Sequence, residues 1–298
     1  MMVDKEMRNL NAMARVSENA YFRNGKPIVL ESYCAYYDIL GLAEMLQPAS
    51  KSKRRERKLF GEIYPIISGK NPQFAELDLP QEFLERGVII LQFSDNAIIG
   101  CPQKSKDGRH LVKEITPLIA QLALNQLALA TDGWFIRGGI TTGLLFIDKR
   151  IAFGSALIEA HLLETNKANN PRIVLSSKLG ARLSKIISEN SVFRQSIVDR
   201  LFLRDQDGQI FVNYLGVCLP TNLPDLSLVK KHKTILEGKL VAYRSRPRIW
   251  AKYLWTANYH NYIVKMHLKD PQYKKHRSAL TTCIIGNQAV SYNFNRIF

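Results

Sequence analysis

The 298-residue sequence is poor in cysteine and has no long apolar segment. Its four cysteines lie far apart, without a CxxC motif or a Cys/His spacing typical of zinc ligands, so we expect reduced and mostly buried thiols. The longest apolar helical stretch, residues 118–130, is well short of the roughly 20 residues that span a bilayer. Residues 1–15 carry no apolar run with a small-residue cleavage site, and we therefore expect a cytoplasmic protein.

Several common enzyme signatures are also absent. The motifs HExxH, GxSxG and GxGxxG do not occur, and segment 61–70 ends in Gly-Lys without the Ser or Thr that completes a Walker A loop. The six histidines show no metal-ligand spacing. These absences argue against a P-loop enzyme, a zinc hydrolase and an α/β hydrolase.

Acidic residues are scarce relative to basic ones, which gives a net charge of +16. Residues 225–298 contain 14 Lys and Arg but only three acids, and a second basic run consists of Lys51, Lys53, Arg54, Arg55, Arg57 and Lys58. A solvated face or loop is the usual explanation of such runs, and we favour it. Contact with nucleic acid or with nucleotide phosphates is the alternative.

The chain alternates between strand-like and helix-like segments. Runs of β-branched and aromatic residues predict strands at 28–37, 88–93, 97–100 and 172–175, and a strand pair around a glycine-rich turn over 134–147. Apolar periodicity predicts helices directly after Asp38 and at 110–131, 155–167, 177–188 and 249–267. This order indicates an α+β fold with helices packed on a mixed sheet. We place an N-terminal segment at 1–28, a boundary near Leu223, and a basic, mainly helical extension at 223–298.

Two acids lie at the ends of the predicted strands. Asp38 ends the first strand, directly before the Ile39-Leu40-Gly41 start of a helix, and Asp95 lies at the tip of the 88–100 hairpin. If the strands are neighbours, the carboxylates converge beside a helix amino terminus that can hold phosphate. Such carboxylates repel unless a cation such as Mg²⁺ or Mn²⁺ joins them, which indicates a metal and triphosphate site. Taken singly, each acid also has a local structural explanation, Asp38 as a helix cap and Asp95 as a turn residue.

Five short motifs strengthen the functional interpretation of these acids. They are YYDILGL at 36–42, QFSD at 92–95, RGGITTG at 137–143, FGSALIEAHLLE at 153–164 and PRIVLS at 171–176. In this order they resemble the class III nucleotidyl cyclases over residues 29–190, and they are most similar to the pyrimidine cyclases of the bacterial Pycsar anti-phage system. The resemblance implies a cyclase domain over 29–222, with the mixed or antiparallel sheet of that family.

The resemblance also implies roles for individual residues. Asp38 and Asp95 would hold two divalent metal ions, Mn²⁺ or Mg²⁺, with the backbone carbonyl of Ile39 as a further ligand. Arg137 would bind the β- and γ-phosphates, a role that suits its planar head with several donors.

Two departures from the family pattern concern the base. Purine cyclases of the family read the base with a Lys and an acid at positions that are Leu91 and Ile151 here. Neither side chain can hydrogen-bond an adenine edge, which favours UTP or CTP as the substrate. Tyr36 and Tyr37 are the candidates for contact with the base. Only one of them can face the pocket, because side chains alternate along a strand.

A third departure concerns the transition state. The helix of the family usually supplies an Asn and an Arg, and the matching positions here are Ile158 and Leu162. Either another cation replaces them or the domain is inactive, and we favour activity. The cations nearest in sequence are Lys149, Arg150 and Arg172.

We therefore expect a uridylate or cytidylate cyclase, a phosphorus–oxygen lyase that makes a 3′,5′-cyclic monophosphate and pyrophosphate from UTP or CTP. By resemblance it would be a head-to-tail homodimer with composite active sites and no membrane attachment. Its product would be a second messenger in anti-phage defence.

The alternative from a different class is a nucleic-acid-binding protein built on a catalytically inactive cyclase-like scaffold. The extension 225–298 interleaves Tyr253, Trp255, Tyr259 and Tyr262 with basic residues, which would suit phosphate contacts and base stacking. The same aromatic spacing fits the packed face of a helix, which we favour.

Overall fold

The computed structural model describes residues 19–67, 87–104, 111–189, 198–219, 224–286 and 294–295. Segment 1–15, where no signal sequence is expected, and the predicted boundary near Leu223 lie outside these residues. Within the described residues, no helix is both long enough and apolar enough to cross a membrane.

A short hairpin, β1 (Phe22–Arg23) and β2 (Lys26–Pro27), precedes the main sheet. The strands of that sheet are β3 (Leu30–Ile39), β4 (Ile89–Phe93), β5 (Asn96–Pro102), β6 (Ile136–Ile147), β7 (Ala152–Phe153), β8 (Ile173–Leu175), β9 (Phe202–Arg204) and β10 (Ile210–Val212). Their order across the sheet is β4-β5-β3-β6-β8-β10-β9, and β7 pairs with the end of β6. Strands β6 and β8 are parallel, while the other pairs described are antiparallel. The predicted mixed sheet is confirmed.

Nine α-helices are formed by the described residues. They are α1 (Leu42–Ala49), α2 (Lys53–Ile67), α3 (Leu111–Thr131), α4 (Ser155–Asn166), α5 (Ser177–Glu189), α6 (Val198–Leu201), α7 (Leu226–Ala242), α8 (Pro247–Lys269) and α9 (Arg277–Thr281). Two 3₁₀-helices lie at Tyr214–Cys218 and Pro271–His276. Four of the helices predicted from apolar periodicity are confirmed with ends displaced by at most two residues. The helix predicted to start at Ile39 begins only at Leu42, because β3 continues through Asp38 to Ile39 and Gly41 is the N-cap, so Asp38 does not cap the helix.

The alternation of side chains along β3 explains why helices pack on both faces of the sheet. Tyr33 and Ala35 belong to the main hydrophobic core, which α3, α5, α7 and α8 also line. Cys34 and Tyr36 point the other way, into a smaller core that α4 covers with Ala156. Asp38 follows Tyr36 at a spacing of two and therefore lies on the α4 side of the sheet.

The C-terminal helix α8 presents its aromatic residues to the main core. Tyr253, Trp255 and Tyr259 are buried, and Tyr262 is partly buried against the same core. The rings of Trp255 and Tyr259 make edge contacts with Phe211 of β10 at centroid distances of 5.5 and 5.7 Å. The packed-face interpretation is confirmed, and these buried rings offer no surface on which nucleic-acid bases could stack.

The prediction of a strand pair over 134–147 is wrong, because these residues form the single strand β6. β6 pairs with β3 from Ile136↔Ile39 to Leu145↔Leu30, straight through the RGGITTG motif. Gly139 allows a close approach of α4. A Cβ atom there would lie 2.4 Å from the carbonyl oxygen of Ala160.

All four cysteines are buried, as expected from the sequence. Burial raises the pKa of the Cys34 and Cys218 thiols to about 12, so neither is a nucleophile at neutral pH. The basic side chains from Lys51 to Lys58 lie on and just before α2 and are exposed.

Candidate functional site

Asp38 and Arg137 face each other directly in the antiparallel pair β3–β6. The Arg137 guanidinium donates from Nε to Asp38 Oδ1 at 3.0 Å and from Nη2 to Asp38 Oδ2 at 3.1 Å. Residues opposite each other in a β-ladder project to the same face, so the pair lies on the side that α4 covers. The structure thus brings together two site residues that are 99 positions apart in the sequence.

Glu164 of α4 is a third member of this charged group, and no role was predicted for it from the sequence. Its side chain is only 3% exposed, and its Oε1 lies 2.8 Å from Arg137 Nη2. That contact is an ion pair without hydrogen-bond geometry. Oε1 is buried, and it has no hydrogen-bond partner among the described residues. Oε2 accepts a hydrogen bond from Thr165 Oγ1 at 3.0 Å. The one available signal was spacing, because Glu164 follows Ala156 and Ala160 on the buried face of α4.

The electrostatics of the group favour a charged arginine between two acids. Burial lowers the pKa of Arg137, but the hydrogen bond and charge of Asp38 and the charge of Glu164 outweigh burial and raise it. Burial raises the pKa of the Glu164 carboxyl, and the charge of Asp38 raises it further. Arg137 therefore carries the positive charge that makes this acid pair tolerable.

Asp95 lies in the two-residue turn between β4 and β5, at the end of the sheet where Asp38 lies. The register Tyr37↔Ala97 places the hairpin turn next to the end of β3. Tyr36 connects the two regions, because its hydroxyl donates to Asn96 Oδ1 at 2.6 Å. Asn96 Nδ2 in turn lies 3.5 Å from Asp95 Oδ1.

Tyr36 lies among the acids of the site. Burial raises the pKa of its hydroxyl to about 12, with further contributions from the charges of Glu164, Asp38 and Asp95. Its ring makes an edge contact with the ring of His161 on α4, and the two ring centroids are 4.9 Å apart. Tyr36 is thus the tyrosine of the YYD motif that faces the site.

The other residues predicted to bind nucleotide lie around the end of β3. Tyr37 points to the opposite face and packs against the main core, which explains why it does not reach Asp38. Ile39 and Leu40 are buried, and the Leu40 amide donates to the carbonyl of Phe135 at 2.7 Å. Gly41 is the N-cap of α1 with φ at +80°, a conformation that favours glycine.

The donor set near Asp38 and Asp95 fits a divalent cation in kind, since carboxylate oxygens are the ligands that Mg²⁺ and Mn²⁺ prefer. Among the described residues, however, no three His, Cys, Asp or Glu side chains converge on one point. Both oxygens of Asp38 accept hydrogen bonds from Arg137. A cation here would therefore need oxygens from the backbone or from a bound phosphate, and would compete with Arg137 for Asp38.

Arg172 is not available to act as the arginine that class III cyclases, which the sequence motifs resemble, have at the position of Leu162. Its side chain is 1% exposed, and it pairs with Asp205 and Asp207 and donates to the Lys167 carbonyl at 2.9 Å. Asp205 also accepts a hydrogen bond from Trp255 Nε1 at 2.9 Å. Arg172 ties β8 to the β9–β10 turn and to α8, which is a structural role.

Lys149 and Arg150 are excluded for a different reason. They lie in the turn between β6 and β7, whereas Arg137 lies at the opposite end of β6. Ten residues of extended chain span about 33 Å, so neither cation can reach Arg137 within the same chain. The expectation that Lys149, Arg150 or Arg172 stabilises the transition state is therefore wrong for a site built from a single chain.

The two positions where the family has Asn and Arg form an apolar surface on α4. Ile158 is 63% exposed and Leu162, one turn later, is 51% exposed. Phe153, just before the helix, is 71% exposed. Large apolar side chains grouped on one helix face commonly mark an interaction surface.

Comparisons with known proteins add little to this description. No family model matches the sequence, and no curated protein matches it. Among solved structures, the crystal structure of the guanylyl cyclase Cya2 is similar to this chain, with a TM-score of 0.32 and 16% identity over 52% of this chain and 78% of that chain.

Proposed function

We propose that this chain is a metal-dependent pyrimidine nucleotide cyclase that converts UTP or CTP to the 3′,5′-cyclic monophosphate and pyrophosphate. The observation that carries the proposal is the bidentate Asp38–Arg137 pair at the end of β3, with Asp95 on the adjoining hairpin. These three residues are the ones that the order of the five sequence motifs singled out.

In the proposed reaction the ribose 3′-oxygen attacks the α-phosphorus, and the bond from that phosphorus to the bridging oxygen of the β-phosphate breaks. The 3′-hydroxyl loses its proton to solvent water, and pyrophosphate leaves. Arg137 would exchange Asp38 for oxygens of the β- and γ-phosphates, which its planar head can bind with two donors at once. Two divalent cations, Mn²⁺ or Mg²⁺, held by Asp38, Asp95 and the Ile39 carbonyl, would neutralise the triphosphate and lower the pKa of the hydroxyl.

Positioning by residues of this chain would supply much of the rate, because no residue of the site is an evident general base. Glu164 holds Arg137 from the α4 side at 2.8 Å, which limits where the guanidinium can move. Tyr36 fixes the hairpin turn through Asn96, and so fixes the position of Asp95 relative to β3.

The preference for a pyrimidine is supported by the apolar side chains where purine cyclases carry polar ones. Leu91 packs against the smaller core, and Ile151 is an exposed apolar residue, so neither offers a hydrogen bond to adenine or guanine. The Tyr36–Asn96 pair places an amide beside the site. An amide can match the donor and acceptor edge of uracil or cytosine.

A head-to-tail homodimer is part of the proposal. The exposed side chains of Phe153, Ile158 and Leu162 support it, because they form an apolar surface suited to burial against a second copy. We expect Ile158→Glu and Leu162→Glu to give a monomer in analytical ultracentrifugation. Val241→Glu, at an equally exposed apolar position on α7, is the matched control and should sediment like the wild type.

We further propose that the cyclic product is a second messenger that activates a separate effector during phage infection, in the cytoplasm. This role rests on the resemblance of the motifs to the Pycsar cyclases.

The experiment that tests the function is incubation of the purified chain with Mn²⁺ and each of ATP, GTP, CTP and UTP, with products identified by mass. A cyclic pyrimidine monophosphate and an equal amount of pyrophosphate are expected, and both should disappear in Asp38→Ala and Asp95→Ala. Cyclic AMP or cyclic GMP as the main product would contradict the pyrimidine assignment. Absence of any cyclic product would favour the nucleic-acid-binding alternative, which a steep salt dependence of single-strand binding would then support.

A further inference from the structure

The C-terminal helix α8 brings basic residues to the end of β3, beside the proposed site. A cleft lies between the start of α1 and the start of α8, and its walls include Leu40, Gly41, Glu44, Arg246 and Lys252. Its enclosed volume is about 30 Å³, which suits a phosphate oxygen or a water molecule rather than a whole nucleotide. The cleft lies at the end of β3, where Leu40 and Gly41 follow Asp38 by two and three residues.

Lys252 is the half-buried cation of this cleft. Within the described residues its ammonium has no acid within 4 Å and no hydrogen-bond acceptor. Burial lowers the pKa of Lys252, and so does the charge of Arg137, while the acids Glu44, Asp38 and Glu164 act in the opposite direction. Lys252 is therefore within electrostatic range of the Asp38–Arg137–Glu164 group without being paired to it.

The ion pairs formed by the nearby acids indicate which kind of ligand suits Lys252. Asp38 and Glu164 are both engaged by Arg137, so they do not neutralise Lys252 at contact distance. Arg246, the exposed N-cap residue of α8, adds a second positive charge to the same cleft. A half-buried ammonium without a carboxylate partner, next to an arginine, is suited to an anion with several oxygens.

We propose that Lys252, assisted by Arg246, binds the terminal phosphates of the nucleoside triphosphate and the departing pyrophosphate. This inference rests on the proposed function, because it assigns a further part of the same site. It gives the basic C-terminal region a role within the chain, and it supplies a cation from the same chain, which Lys149, Arg150 and Arg172 do not.

The test is isothermal titration of UTP, UMP and inorganic pyrophosphate, each with Mg²⁺, into the full chain and into Lys252→Met. Loss of a charged hydrogen bond predicts at least a tenfold weaker affinity for UTP and pyrophosphate, with UMP unaffected. Lys252→Arg should retain most of the affinity. Lys265→Met is the matched control, because Lys265 is an exposed lysine more than three turns further along the same helix.

The outcomes separate this inference from the proposed function. If Lys252→Met binds UTP and pyrophosphate as tightly as the wild type while the wild type makes a cyclic product, this inference alone is overturned. If the wild type binds pyrophosphate through Lys252 but makes no cyclic product, the anion site stands and the cyclase assignment falls. If the wild type binds neither ligand, both are overturned.

Discussion

The Arg137 guanidinium spans two carboxylates, because it donates two hydrogen bonds to Asp38 and lies 2.8 Å from the buried Glu164. Arg137 therefore already binds Asp38, the carboxylate that the proposed metal site needs. Binding of a cation and a triphosphate would have to move Arg137 from carboxylate to phosphate, which exchanges one bidentate partner for another of the same geometry.

The first prediction follows from this competition. In Arg137→Met the affinity for Mn²⁺ should rise about tenfold, because Asp38 and Glu164 lose their compensating charge, while binding of UTP and CTP should weaken. Titration of Mn²⁺ followed by electron paramagnetic resonance measures the first effect. Arg150→Met, at an exposed arginine at the far end of β6, is the control. An unchanged or weaker affinity for Mn²⁺ in Arg137→Met would count against competition for Asp38.

The second prediction separates the two tyrosines of the YYD motif. Tyr36→Phe removes the hydrogen bond to Asn96 Oδ1 and should lower kcat at least tenfold, because the hairpin that carries Asp95 loses its tether to β3. Tyr37→Phe should leave kcat within about twofold, since Tyr37 packs in the main core on the other face of the sheet. Steady-state assays of both variants give the comparison, and equal losses of kcat would remove the assignment of Tyr36 to the site.

The third prediction concerns the close approach of α4 to β6. Gly139→Ala would place a Cβ atom 2.4 Å from the Ala160 carbonyl oxygen and 2.5 Å from Leu163 Cβ. We expect a loss of about 1–3 kcal/mol in the free energy of unfolding and a lower activity, because the displaced helix carries Glu164.

Gly238→Ala is the control for this substitution. Gly238 lies within α7, where an added Cβ meets nothing within 4 Å. The change should leave activity intact and stabilise the helix by roughly 0.5–1 kcal/mol. Urea unfolding measures whether Gly139→Ala lowers and Gly238→Ala raises the free energy of unfolding. An unchanged free energy of unfolding in Gly139→Ala would show that α4 can shift without cost.

The fourth prediction is a dependence of stability on pH from a buried histidine pair. The Nε2 of His260 faces the carbonyl of Cys283 at 2.8 Å and must donate to it, so His260 Nδ1 accepts from His232 Nδ1 at 2.9 Å. The His232 Nε2 then accepts from the Tyr214 hydroxyl at 2.9 Å. The bond between the two rings and the bond from Tyr214 each need an unprotonated ring nitrogen as acceptor, so this arrangement has both rings neutral.

Burial lowers the pKa of His260 to about 4 and that of His232 well below 6.5, with the neighbouring ring contributing to the latter shift. A histidine whose pKa is lower in the folded state stabilises the fold above pH 6.5, and that stability is lost as the pH falls from 6.5 through 4. His260→Gln should flatten this slope and lower stability at pH 7. His276→Gln, outside the pair, should leave the slope unchanged. Urea unfolding at several pH values tests this, and parallel curves for wild type and His260→Gln would contradict it.

Much of the framework follows from local patterns in the sequence. Alternation along 28–37 predicted β3, and apolar periodicity predicted α3, α4, α5 and α8, because burial of one face depends on residues close in sequence. The neighbouring positions of Asp38 and Asp95 followed from strand pairing. The turn predicted in RGGITTG was wrong, since Gly139 serves the approach of a helix that lies some twenty residues later.

The charged residues around Arg137 were harder to predict for a related reason. Glu164 ends the motif at 153–164 without an assigned role, and Lys252 lies in no motif. The place of both residues in the site depends on how α4 and α8 pack against the end of the sheet. Arg172 was selected for proximity in sequence, yet the fold buries it against Asp205. Sequence spacing predicts which residues share an element, whereas long-range packing decides which elements meet.

In the proposed site, Asp38, Asp95 and Arg137 together bind a pyrimidine nucleoside triphosphate with a divalent cation. The most direct measurement is Mn²⁺-dependent binding of 3′-deoxy-UTP and 3′-deoxy-CTP, which lack the attacking hydroxyl, to the wild type, Asp38→Asn and Asp95→Asn. We predict binding to the wild type only when Mn²⁺ is present, and a loss of at least tenfold in affinity in each variant, with circular dichroism spectra unchanged. Wild-type affinity in folded Asp38→Asn, or binding that does not depend on Mn²⁺, would contradict the account.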